Sequence, residues 1–304
     1  MEQVYAIVSK LGAELGDPLG PAQPLGRGSP GRDYRVRLTT GEYVVRLPRR
    51  EASLLSASRR SERLANEMAA GLGIAPTVAG AGEDWLVIRF IDRRPVDPHR
   101  LAADPGPIAV MLRSFHESGL VLPVRFSVPE LLDRYASIVL ERGGTLPDDY
   151  GEAQGLTARI TETLPLTDPV PCHNNLLNAN VLDLAPGSGA VGPARVALVD
   201  WEYAAMGHRL FDLASLAVHN NFDQQADDRL LAAYFGDPVG DERRAALRLM
   251  RLMVHAHEAA RGLAQSAVSE PGMDYSREAP RHFDQLRRAA SEPGLEDWLR
   301  AASS

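Results

Sequence analysis

Two short segments gather the residue types that could do chemistry. The first is Pro171-Cys172-His173-Asn174-Asn175-Leu176-Leu177-Asn178-Ala179-Asn180-Val181-Leu182. The second, about 20 residues on, is Ala197-Leu198-Val199-Asp200-Trp201-Glu202-Tyr203. The first offers an imidazole and side-chain amides, the second two carboxylates. An amide is no general base at neutral pH, though it accepts hydrogen bonds, so His173 is the one base candidate beside Asn175. A scaffold histidine bonded to backbone is the competing reading. Cys172 has no acid–base set spaced to activate it and reads as a buried inert thiol. His255, His257 and Glu258 look like metal ligands, but positions i and i+2 of a helix do not share a face.

The two segments resemble the catalytic and metal-binding loops of kinases, H-x-D-x-x-x-x-N followed by an aspartate at a strand end. There, a carboxylate reaches the acceptor hydroxyl, an amide oxygen five residues later turns to magnesium, and a second aspartate holds metal on the nucleotide phosphates. The wording is most similar to the choline/ethanolamine kinase and aminoglycoside phosphotransferase family, whose pattern is H-N-D-L-x-x-x-N, then I-D-[WF]-E-Y. His173, Asn174, Leu176, Asn180, Asp200, Trp201, Glu202 and Tyr203 match it. Further matches follow in order: Arg59-Arg60-Ser61-Glu62, Gly73-Ile74-Ala75-Pro76, Ile88-Arg89-Phe90-Ile91, Leu112 to His116, Phe211-Asp212-Leu213-Ala214, and His257 to Gln265. The resemblance spans roughly residues 25–285.

It implies a two-lobed, protein-kinase-like α+β fold, with a small antiparallel-sheet lobe over residues 1–91 and a mostly helical lobe over 92–304. It implies transfer of the γ-phosphate of ATP, with magnesium, to a hydroxyl of a small molecule. By that resemblance Gly28 and Ser29 cover the phosphates, and Arg46 takes the strand position of the kinase lysine. Glu62 pairs with Arg46, with Glu67 as fallback. Phe90 and Ile91 line the adenine slot. Asn180 and Asp200 hold magnesium, with Glu202 beside them or toward substrate. Tyr203, Glu258 and Arg261 face the acceptor, and Asp212 braces the catalytic loop.

Two departures matter. Asn175 stands where the family has its catalytic aspartate. Three readings are open: an introduced substitution that traps substrate, a catalytically silent pseudokinase acting as a nucleotide or metabolite sensor, or transfer that persists because positioning and electrostatics carry it. Arg261 stands where choline kinases place a tryptophan of their ammonium-binding aromatic box. An arginine there argues for an acceptor with a carboxylate, a phosphate or a polar sugar, such as an antibiotic or nucleoside. A smaller departure is Gly31-Arg32-Asp33, where the family shows Asn-x-Asn.

The elements that must position these residues are legible in outline. Residues 1–20 read as a helix, with Val4, Ile7, Val8, Leu11 and Leu15 on one face. A Pro/Gly-rich loop follows, then strands at 33–38 and 42–47 joined by Thr39-Thr40-Gly41. A helix over 55–72 and strands at 77–81 and 85–91 complete the first part. Helices are expected near 106–118, 127–141, 151–163, 208–219, 227–235, 241–267 and 275–290, with a hairpin across 180–200. The 304-residue chain carries a net charge of −7, which argues against nucleic acid as a partner. Lys10 is the only lysine. The single cysteine precludes an internal disulfide. Without a leader or a long apolar run, a soluble cytoplasmic protein is expected, with no membrane partner.

Overall fold

The structure is a computed structural model that describes residues 2–25, 33–47, 58–184, 196–268, 278–291 and 294–303. Gly28, Ser29, Gly31 and Arg32 lie outside the described residues.

The chain begins with α1 (Glu2–Lys10), which buries Val4, Ile7 and Val8 at i, i+3 and i+4. The helix expected to reach residue 20 stops at Lys10, and a single turn, α2 (Gly12–Leu15), follows. The reason is local. Gly16 sits at φ 77°, where a Cβ would fall 1.9 Å from Thr39 Oγ1, and Pro18 bridges to Leu38.

Five strands form one antiparallel sheet: β1 (Gln23–Leu25), β2 (Asp33–Leu38), β3 (Gly41–Arg46), β4 (Val78–Ala81) and β5 (Leu86–Arg89), in the order β1-β2-β3-β5-β4. Period-two alternation gives the sheet two different faces. Tyr34, Val36, Leu38, Tyr43, Val45 and Val87 form a core with α1. The opposite face carries Asp33, Arg35, Val44, Arg46 and Ile88, and the register sets Asp33 against Arg46 and Arg35 against Val44.

Between β3 and β4, α3 (Arg59–Gly71) is capped by Ser58, whose Oγ accepts from Ser61 N at 3.0 Å. It buries Glu62, Ala65, Asn66 and Ala69 on one face.

The remainder is mostly helical: α4 (Pro98–Ala103), α5 (Gly106–His116), α6 (Val128–Glu141), α7 (Tyr150–Thr163), α8 (Arg209–His219), α9 (Gln224–Phe235), α10 (Asp241–Val268), α11 (Glu278–Ala290) and α12 (Leu295–Ala302). With 28 residues, α10 runs about 42 Å and forms the spine on which α6, α8, α11 and α12 pack. Its mostly apolar stripe from Ala245 to Val268 is buried in the larger core.

Two short ladders interrupt the helices and carry the site. β6 (Val170–Cys172) pairs with β9 (Ala205–Gly207), and β7 (Val181–Asp183) pairs with β8 (Val196–Leu198), both antiparallel. The second is the hairpin expected across 180–200. The first escaped the sequence reading, as did β1, α4 and α12: three-residue strands show no alternation to read.

Candidate active site

Arg46 is the hub. Strand alternation turns it away from the α1 core, toward α3 and the β7–β8 hairpin. Its Nη1 donates to Glu62 Oε1 and to Asp200 Oδ1, both at 2.7 Å, and its Nη2 donates to Asp33 Oδ2 at 3.0 Å. One guanidinium thus ties the sheet, α3 and the segment after β8 together. Burial alone would lower its pKa, but Asp200, Asp33, Glu62 and Glu202 outweigh that and hold it well above the usual arginine value. Glu62 takes a second guanidinium, from Arg59. Glu67, the fallback partner, instead lies half exposed beside Arg63.

Asp200 adopts φ 68°, a left-handed conformation that aspartate tolerates better than most residues. This turns the chain sharply after β8. Trp201 then buries completely, its ring centroid 4.6 Å from Phe115 and 4.5 Å from His173. Glu202 is half-buried, and its charge acts on Arg46. That places it with the phosphate-side carboxylates.

The loop from His173 to Asn180 hangs on one buried carboxylate. Asp212 Oδ2 accepts from His173 N at 2.8 Å and from His116 Nε2 at 3.0 Å, while Oδ1 accepts from Asn174 N at 2.7 Å. Burial would raise the Asp212 pKa; the hydrogen bonds from His116 and from His173 N–H hold it below the ordinary value, so it is a carboxylate. Asn174 is left-handed at φ 61°, and its Nδ2 donates to Tyr203 O at 3.1 Å. Gly207 leaves room for it, since a Cβ there would stand 3.0 Å from Asn174 Oδ1. Ser215 Oγ accepts from Leu176 N at 3.0 Å, and Asn178 Nδ2 donates to Asn220 Oδ1 and Val96 O at 2.8 Å each.

His173 has both ring nitrogens engaged. Nε2 donates to Val199 O at 3.0 Å, and Nδ1 accepts from Asn175 N at 3.3 Å. Burial lowers its pKa, so the ring is neutral. Both nitrogens are engaged, which favours the scaffold reading of His173 over the catalytic base.

Asn175 is buried, and its Oδ1 meets no hydrogen-bond partner among the described residues. A buried acceptor without a donor is rare in folded proteins and marks a place where a ligand can supply one. Asn180 Nδ2 donates to Asn175 O at 2.9 Å, which commits the amide nitrogen and leaves Asn180 Oδ1 as the atom that could take a metal ion. An amide oxygen and the Asp200 carboxylate are hard oxygen donors of the kind magnesium takes alongside phosphate oxygens. The donor set therefore fits the implied metal.

Phe90 and Ile91 follow β5. Phe90 N donates to Glu42 O at 2.8 Å, so it continues the ladder and shares the face of Arg46. The Arg35 guanidinium lies 4.2 Å from the Phe90 ring centroid and pairs with Glu42 at 2.5 Å.

A second charged group surrounds Tyr203. Arg261 pairs with Glu258 and lies 5.5 Å from the Tyr203 ring centroid. Glu258 Oε1 also meets His257 Nδ1 at 3.3 Å and His219 Nε2 at 3.8 Å. Burial would raise Glu258, but Arg261, His257 and His219 hold it well below the usual carboxylate range. His219 is pushed down to about 4 by burial. Glu258 is therefore a buried charge, where solvation was the competing expectation. On α10, His255 turns to His282, Nδ1 to Nδ1 at 2.9 Å, while His257 turns to Tyr135 and Glu258.

Sequence reasoning missed Asp33, Arg59, His116 and His219. Asp33 was recoverable, because a hairpin centred on Thr39-Thr40 pairs residue 33 with residue 46. His116, which closes the Leu112 to His116 match, reaches the site from α5 and His219 from α8; only the assembled fold shows what they touch.

LicA of Haemophilus influenzae is 23% identical over 201 residues, 64% of this chain and 72% of LicA. A choline/ethanolamine kinase family protein from Mesorhizobium loti superposes with a TM-score of 0.77 at 26% identity, covering 100% of this chain and 99% of that one. The choline kinase LicA from Streptococcus pneumoniae superposes at 0.75 with 21% identity, covering 98% of this chain and all of that one. The fold is thus the two-lobed, kinase-like α+β fold. Residues 21–249 match the phosphotransferase enzyme family, and with three-quarters of its length inside that match the chain belongs to that family.

Proposed function

We propose that this chain is an ATP- and magnesium-dependent phosphotransferase acting on a hydroxyl of a small polar molecule, slowed by Asn175. The observation that supports it most is the single guanidinium of Arg46 shared by Glu62 and Asp200. This is the arrangement phosphoryl transfer asks for: a cation for phosphate oxygens, and a carboxylate beside it for the metal. Magnesium held by Asn180 and Asp200 would offset phosphate charge. Arg46 would exchange part of its carboxylate contacts for phosphate, and Asn175 Oδ1 would accept the hydrogen bond of the acceptor hydroxyl and orient it. Asn175 cannot take the proton away, and loss of a general base typically costs about 10²–10⁴ in rate. The unpartnered Asn175 Oδ1 also favours the second reading, a nucleotide-binding sensor with negligible turnover.

The acceptor pocket argues against a quaternary ammonium such as the choline named in relatives. Arg261 already lies against Tyr203 and neutralises Glu258, so the protein's own cation occupies the anionic, aromatic corner. A neutral or acidic hydroxyl compound suits it, as in a sugar, nucleoside or antibiotic.

Nucleotide binding tests the site. ADP should bind with magnesium and lose most of its affinity in Asp200→Ala. Equal binding by that variant, or no dependence on magnesium, contradicts the assignment.

A further inference from the structure

A cleft of about 490 Å³ opens between α9, α10, α11 and α12. Its wall carries Asp227, Arg248, Arg251, His255, Arg288 and Trp298. Arg248 lies ten residues before Glu258 on α10, about 15 Å along the helix from the cluster around Tyr203.

The charges here are unusual for this surface. Elsewhere the arginines of α10–α12 find carboxylates: Arg243 with Asp237, Arg244 with Asp228 and Asp241, Arg287 with Asp149 and Asp284, Arg300 with Asp297. Within the cleft, Arg251 pairs with Asp227 at 2.8 Å and points at Phe222 O, so that pair is internally neutral. The two other guanidiniums differ. Arg248 lies 5.4 Å from the ring centroid of Trp298 and its charge also acts on Asp227, but no ion pair forms between them, and Arg288 meets no carboxylate among the described residues. His255, bonded to His282 and pushed down to about 3 by burial, is neutral at physiological pH. The cleft's described lining therefore sets three guanidiniums, Arg248, Arg251 and Arg288, against one carboxylate, Asp227, beside a half-buried indole, in a chain whose net charge is −7.

We infer that this cleft binds a small organic anion: a phosphate or carboxylate held between Arg248 and Arg288, on a flat apolar body that lies against Trp298. Guanidinium forks match both anions in geometry, and an indole face takes a planar group at little conformational cost. The cleft's volume suits a small molecule. The inference does not rest on the phosphotransferase reading.

Calorimetric titration of the full chain in phosphate-free buffer at low salt tests it, with phenyl phosphate, benzoate, inorganic phosphate and benzylamine as probes. Phenyl phosphate should bind saturably and more tightly than inorganic phosphate; benzoate should bind, and benzylamine should not. The double variant Arg248→Gln/Arg288→Gln should weaken phenyl phosphate by at least about tenfold, since a charged hydrogen bond of that kind is worth a factor of ten or more. Both side chains are partly exposed, so the variant should keep its melting temperature. Trp298→Phe should remove the fluorescence change that accompanies binding. Asp200→Ala should bind phenyl phosphate as the parent does, which separates this site from the nucleotide site. Absence of saturable binding, equal affinity in the double variant, or displacement by ADP would overturn the inference.

Discussion

Replacing Asp212 with asparagine removes one charge and almost no volume, yet it should be among the most damaging conservative changes in the chain. The carboxylate is fully buried and accepts three hydrogen bonds, from His173 N, Asn174 N and His116 Nε2. An amide can satisfy only part of that set. With its oxygen at the Oδ1 position, the new NH2 faces His173 N–H; with its oxygen at Oδ2, the NH2 faces Asn174 N–H. Either way one buried backbone donor is orphaned, at about 1–3 kcal/mol. The bonds that survive lose the charge that strengthened them, about 1 kcal/mol each. The sum is about 3–5 kcal/mol, a large share of a typical stability of about 5–15 kcal/mol. Urea unfolding followed by tryptophan emission measures it, because Trp201 packs against His173 and reports on this loop. A loss below about 1 kcal/mol would refute the claim that Asp212 holds the loop. So would intact loop geometry, seen as unchanged nucleotide affinity and turnover.

Other consequences follow from the same contacts. Asp33 competes with phosphate for Arg46 Nη2, so Asp33→Asn should tighten ADP several-fold at low magnesium, by calorimetry; unchanged or weaker binding contradicts that competition. Arg261→Ala leaves the Glu258 carboxylate buried with only neutral imidazoles beside it, and should cost about 3–5 kcal/mol in urea unfolding. Arg261→Trp should shift acceptor preference toward ammonium compounds in a competition assay. Stability should fall as pH drops from 6.5 toward 4. Burial lowers His208, His219 and His282 to about 4 and His255 to about 3, so the unfolded chain takes up protons that the folded one refuses. Asp227, raised to about 6 by burial, works in the opposite sense and offsets part of the loss. Urea midpoints at pH 7.5, 6 and 5 check the sign; a flat profile contradicts neutral burial of these imidazoles.

Much of this was legible in the residues because the determinants are local. The β2–β3 hairpin, the Ser58-capped α3 and the loop from His173 to Asn180 each carry their own turn, cap or spacing signal. The family resemblance, not a local signal, implies the pair of Arg46 with Glu62, and the structure has them 2.7 Å apart. What escaped depends on distant elements. The sequence leaves His173 open between base and scaffold; only the placement of Val199 O and Asn175 N shows both nitrogens in use. Glu258 looks like a surface charge until α8 brings His219 beside it. The first helix was overextended because Leu11 and Leu15 continue the apolar period, while Gly12, Gly16 and Pro18 break the backbone.

The central claim is that this loop transfers phosphate to a hydroxyl and that Asn175 limits the rate. The direct measurement is magnesium-dependent ADP release and product mass for this chain and for Asn175→Asp. Both forms would receive ATP and a panel of sugars, nucleosides, aminoglycosides, choline and ethanolamine. The account predicts that the aspartate form phosphorylates a neutral or acidic acceptor about 10²–10⁴ times faster than the asparagine form, with nucleotide affinity little changed. Two forms that bind nucleotide equally and turn over none of the panel would contradict it and leave the sensor reading in its place.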